Sequence, residues 1–164
     1  MNRLLNKPFH SMYRVLDMLC LNFGTDYRKI IKLGNHVLSD KVYPTYSLHL
    51  QTQWRFLHDN NILLGSRDIY KPYSDTIDES AWDYSETDRP DDESSVFDVV
   101  SKQLSRNLAG HYVTQCEQSP FGDIHITFSN GYAFEVFIPA SYQDEEWRLI
   151  DFPADEHLIF NEID

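Results

Sequence analysis

The 164 residues are 41% hydrophobic and 14% aromatic, a globular composition with length enough for one domain, 1–164, that carries its own core. Fourteen Lys and Arg stand against 26 Asp and Glu; the resulting charge of −12 repels phosphate backbones and excludes a general nucleic-acid binder. Two cysteines, Cys20 and Cys116, with no C-x-x-C spacing, exclude a secreted disulfide framework and fit a reducing cytoplasm.

From the N-terminus, Pro8 suits the first turn of a helix. Phe9, Met12, Tyr13, Leu16, Leu19, Cys20 and Phe23 then recur at three and four residues, and the spacing predicts a helix over about 8–23, ended by Gly24 and packed on a sheet. Arg14 and Asp17 interrupt this apolar run and no small-residue cleavage site follows, so neither a signal peptide nor a membrane span is expected. Residues 27–33 read as a weak strand and 34–44 as a connection. Residues 46–57 alternate as a strand should: Tyr46, Leu48, Leu50, Thr52, Trp54 and Phe56 form one row, and Ser47, His49, Gln51, Gln53 and Arg55 the other. Turn chemistry at 58–61 and an apolar run from Ile62 complete a hairpin.

Residues 74–95 hold nine acids and one arginine, which places −8 of the −12 in one loop-like stretch. Trp82 and Tyr84 are interleaved with its carboxylates. Ser95 and Asp98 form a capping signature ahead of Val96, Phe97, Val100, Leu104 and Leu108, which predicts a second helix ending at Gly110. A strand over 111–118 follows. The strands around Ser129-Asn130-Gly131 keep one face wholly apolar only with a three-residue loop. Phe128 then stands opposite Tyr132, Ile126 opposite Phe134, Ile124 opposite Val136 and His125 opposite Glu135. A last strand spans 146–151. The order reads as α+β: a mostly antiparallel sheet of about five to seven strands with two helices packed on it.

Three groups are candidate sites. The outward row His49, Gln51, Gln53 and Arg55 could bind a polar ligand, or Arg55 could hold the chain's own acidic loop. His125 beside Glu135 is a proton-transfer pair in type, because a carboxylate orients an imidazole and raises its pKa. Trp82, Asp83, Tyr84 and Glu86 of the acidic segment could dock a basic partner, with charge for steering and aromatics for anchoring. No nucleotide-binding, hydrolase or metal-ligand spacing occurs, so no catalytic residue, cofactor or metal is assigned.

The strand "LHLQTQWRF" (48–56), the segment "GSRDIY" (65–70) and the closing "WRL" (147–149) resemble a group of small uncharacterised bacterial proteins with an L-H-x-Q-x-x-W-R-F strand, a G-S-x-D-x-Y segment and a final W-R-L strand. The chain departs from that group at Thr52 and Gln53, where the group's strand carries Cys-Pro before the Trp. Small acidic proteins of this general type resemble immunity proteins of bacterial toxin systems. The charge of −12, the aromatic-bearing acidic segment and the absence of a catalytic signature point to a cytoplasmic, non-enzymatic module for a basic protein partner, in the manner of an immunity protein, with no nucleic acid and no membrane. The alternative is a small-ligand protein or enzyme with a polar pocket on the sheet. Edge strands also leave a homodimer open.

Overall fold

The N-terminal apolar repeat folds as a β-hairpin, not as a helix. A computed structural model describes residues 1–86, 89–139, 141 and 144–160 of the protein. Strand β1 (Phe9–Val15) turns at Leu16 and Asp17 into β2 (Met18–Leu33), with Val15 opposite Met18 and Met12 opposite Leu21. Leu16 takes a positive φ of 57°, unusual for a leucine, so the reversal carries none of the usual Gly or Asn marking. Phe9, Met12 and Tyr13 thus lie on one arm of a hairpin and Leu19, Cys20 and Phe23 on the other.

The chain continues through β3 (His36–Leu50), β4 (Gln53–His58) and β5 (Asn61–Gly65), a 3-10 turn over Ser66–Tyr70, and helix α1 (Val96–Leu108). Five more strands follow: β6 (Val113–Gln118), β7 (Ile124–Phe128), β8 (Ala133–Phe137), β9 (Trp147–Asp151) and β10 (Glu156–Ile159). They form two five-stranded sheets, ordered β1-β2-β3-β9-β10 and β5-β4-β8-β7-β6, with every pairing antiparallel. This corrects the expectation of one sheet under two helices. Among the described residues there is a single α-helix, and the dominant packing is sheet on sheet.

One core joins the sheets. Leu19, Leu21, Phe23, Leu48, Leu50 and Trp147 of the first face Trp54, Phe56, Ile126, Phe128, Phe134 and Val136 of the second. Phe23 stacks on Phe128 with centroids 6.4 Å apart. The predicted strand over 46–57 is two strands, because the chain crosses from one sheet to the other at Gln51 and Thr52. The bond from Gln51 N to Glu146 O (3.0 Å) and that from Thr52 Oγ1 to Phe137 O (2.7 Å) hold the crossing. Ser47, from the row expected to be wet, is buried: its hydroxyl donates to Asn22 Oδ1 at 2.5 Å.

Other expectations hold. Ser95 caps α1, accepting from Asp98 N at 3.0 Å and donating to Asp98 Oδ2 at 2.8 Å. Phe97, Leu104 and Leu108 are its buried face, and Phe97 meets Trp54 edge-on at 5.9 Å. Arg14 fastens this helix to the first hairpin: Nε and Nη2 donate to the two oxygens of Asp98 at 2.8 and 2.7 Å. Burial pushes the Asp98 carboxyl up, but the bonds from Arg14 and Ser95 outweigh it and leave the group below its ordinary 3.8. The β7–β8 register is the one the apolar face requires, with Ile124 opposite Val136, Ile126 opposite Phe134 and His125 opposite Glu135, and Phe128 N donating to Tyr132 O at 2.8 Å.

Candidate functional site

Where the chain leaves the first sheet at Gln51, the two sheets part and a cleft of about 670 Å³ opens between them. Four carboxylates line it. Asp17 stands at the β1–β2 turn, and Asp144, Glu145 and Glu146 lead into β9; Arg67, from the 3-10 turn, is the one cation among the lining residues. Glu146 is the unusual member. It is only 8% exposed, yet it makes no ion pair among the described residues. Its backbone explains its position: Glu146 O accepts from Gln51 N and so ties β9 to the crossing.

The cleft continues into a smaller recess of about 130 Å³ on the outer side of the first sheet, and Gln51, Glu145 and Glu146 line both. His49 sits in this recess, directly across from Arg148. Burial, then the positive charge of Arg148 and the proximity of His157, hold its pKa below the ordinary 6.5, so the ring is neutral at pH 7. Arg148 itself donates to Glu145 Oε2 at 2.6 Å.

The predicted outward row is therefore divided. His49, Gln51 and Gln53 belong to the cleft and its recess. Arg55 points to the outer face of the second sheet, where Nε donates to Glu135 Oε2 at 2.6 Å and the guanidinium lies 4.9 Å from the Phe137 ring centre. Among the described residues the carboxylate that Arg55 holds is Glu135, directly opposite it on the adjacent strand β8, and not one of the acidic loop. His125 Nδ1 is 3.5 Å from Glu135 Oε1, so the expected pair exists with Arg55 on the other oxygen. Glu135 thus divides its two oxygens between Arg55 and His125. The recess there, about 300 Å³, is lined by Asp123, His125, Glu135 and Phe137 among others. Trp-in and Arg-out recurs at Trp54-Arg55 and Trp147-Arg148: both tryptophans are buried and both arginines hold a glutamate.

Of the aromatics of the acidic segment, Trp82 is bonded within the segment and Tyr84 packs on the body. Trp82 Nε1 donates to Glu93 O at 2.9 Å, and Tyr84 packs edge-on against Tyr70 at 4.8 Å. Both are half-buried. Asp83 accepts from Ser85 N at 2.8 Å, a bond that lowers its pKa, and Glu86 pairs with Arg89. Positions 87 and 88 lie outside the described residues. Tyr70 links segment and cleft, since its hydroxyl donates to Asp17 Oδ2 at 3.3 Å. The acidic segment and the acidic cleft are thus one continuous surface.

The chain matches no protein-family model, no curated protein and no solved structure. Its reading rests on this geometry. Asp17, Arg67, Tyr70, Asp144, Glu145 and Glu146 were not singled out from the sequence. The run of three acids before Trp147 is the one signal that could have found part of the group. Among the described residues no cluster of His, Cys, Asp and Glu is arranged to hold a metal ion, and no helix is long and apolar enough to cross a membrane.

Proposed function

We propose that the protein is a non-enzymatic, cytoplasmic binding module that takes a basic segment of a partner protein into the cleft, in the manner of an immunity protein. The observation that carries this reading is the cleft itself, whose described lining residues include four carboxylates, Glu146 among them, against one cation. An incoming Lys or Arg side chain would pair with these carboxylates, and a charge pair desolvated on docking dominates the off-rate. The acidic segment extends the same sign of potential beyond the cleft and steers the approach. Trp82 and Tyr84 serve the segment's own packing in this reading, so the contact shifts from the loop aromatics to the cleft carboxylates. Two free, buried cysteines, one in each sheet, fit the reducing compartment.

The test is calorimetric titration with an Arg- and Lys-rich peptide. Glu146→Gln is nearly isosteric and should weaken binding by about tenfold or more, as expected for truncating one member of a buried charge pair. Neutralising Asp75, Glu79 and Asp92 on the exposed segment should instead slow association and flatten its salt dependence. A peptide that binds Glu146→Gln as well as it binds the native protein excludes the cleft as the site.

A further inference from the structure

Beyond Phe23 and Tyr46, strands β2 and β3 leave the first sheet together. From Asp26 to Pro44 they pair, among the described residues, only with each other, since β1 ends opposite Phe23 and β9 opposite Tyr46. A two-stranded ribbon standing alone in water is marginal at best. This one also exposes apolar side chains on both faces: cross-strand pairing puts Ile30, Val37 and Val42 on one side and Ile31 and Leu33 on the other, with Leu38 at the bulge. Leu33 is 69% exposed and Leu38 63%. The ribbon also reverses the sign of the molecule. Residues 28–42 carry four basic side chains against one acid, a local +3 in a chain of −12. Arg28 is bonded to Asp40, and Lys29 to Asp155 at the base, but Lys32 and Lys41 make no ion pair among the described residues. The ribbon occupies one end of β3 and the cleft the other, so the arm extends away from its own acidic surface.

We infer that this arm docks on the acidic body of a second copy of the chain. Charge selects this occupant. Without residues 28–42 the molecule carries −15, which repels nucleic acid and anionic lipid but attracts a basic arm of its own kind. Two such contacts related by a two-fold axis bury the apolar faces of both arms and cover two unpaired strand edges. This assembly is independent of what enters the cleft.

Sedimentation velocity of the full chain at micromolar concentration tests it. A dimer is expected at about 0.01 M salt, where charges act over ~30 Å, and dissociation toward 1 M, where they act over ~3 Å. Lys32→Glu with Lys41→Glu alters only exposed side chains and should weaken dimerisation by about tenfold or more. Ile30→Thr with Val42→Thr keeps strand formers and should weaken it at every salt concentration. A native chain that stays monomeric at low salt overturns the inference, and so does a dimer that neither variant perturbs. If the arm variants are monomeric yet still bind the basic peptide, the arm and the cleft are separate devices. Loss of peptide binding in Glu146→Gln alone leaves the dimer untouched.

Discussion

His49 is a histidine whose surroundings disfavour its charge: burial acts first, Arg148 and His157 add to it, and Glu145 only partly opposes them. Its pKa in the native state therefore lies below 6.5, while in the unfolded chain it lies near 6.5. Between those two values the unfolded chain holds a proton that the native state refuses, so stability is fully present above 6.5 and declines as pH falls through that window. His49→Gln cannot titrate. The fall in urea midpoint between about pH 7.5 and about pH 5.5 should be smaller in the variant than in the native protein, and the difference isolates this one ring. Identical pH slopes would show that the recess is wetter than its geometry indicates. Arg148 deepens the argument, since it acts on His49 across the strand pair while Glu145 holds it in place.

At the scale of elements, two glycines with similar backbones have unequal duties. Gly131, at φ 81°, closes the β7–β8 loop, and a Cβ there would find only His58 Cε1 at 4.0 Å. Gly24, at φ 90°, lies at the irregularity where β2 leaves the sheet, and a Cβ would come within 2.5 Å of Thr45 Cβ. Thr45 cannot easily withdraw, because its hydroxyl accepts from Thr25 N at 3.1 Å and donates to Thr25 O at 2.8 Å. Gly131→Ala should cost about 1 kcal/mol, the left-handed backbone penalty alone. Gly24→Ala should cost that and about 1–3 kcal/mol more for overpacking. Denaturant unfolding of both compares them directly, and equal losses would mean that the ribbon's root is slack. The same two elements show what a sequence can reveal. The β7–β8 register was legible because alternation and a left-handed glycine agree, and α1 because cap and periodicity agree. The β1–β2 hairpin was hidden because a leucine, not a glycine or asparagine, takes the left-handed position of its turn, so a two-strand pattern imitates a helical one. The break at Gln51 was hidden for a different reason. Both sheets face one core, so Leu48 and Leu50 on one side and Trp54 and Phe56 on the other keep the same inward parity across the crossing. The cleft was illegible because Asp17, Gln51, Arg67 and Glu146 come from four separated stretches, none with a motif of its own.

For the whole molecule, charge governs two properties in opposite directions. Most of the ion pairs are on the surface, as with Arg3 and Glu156 or Lys102 and Asp91, and pairs of that kind contribute little in water. The Arg14–Asp98 pair, with the arginine side chain only 2% exposed, is shielded from ions. What salt mainly screens is therefore the repulsion within a chain of −12, of which −8 sits in residues 74–95. Raising NaCl from about 0.01 M to about 0.15 M should raise the thermal midpoint by several degrees, since about 1 kcal/mol moves a domain of this size by roughly 2–4 °C. Capture of a basic peptide should weaken over the same range, because the repulsion being screened and the attraction being lost have one source. The two titrations belong on one sample at submicromolar concentration, where dissociation of a dimer cannot lower the apparent midpoint. A midpoint that falls with salt while peptide binding is unchanged would falsify the view that this acidic surface is held together against its own repulsion in order to bind a cation.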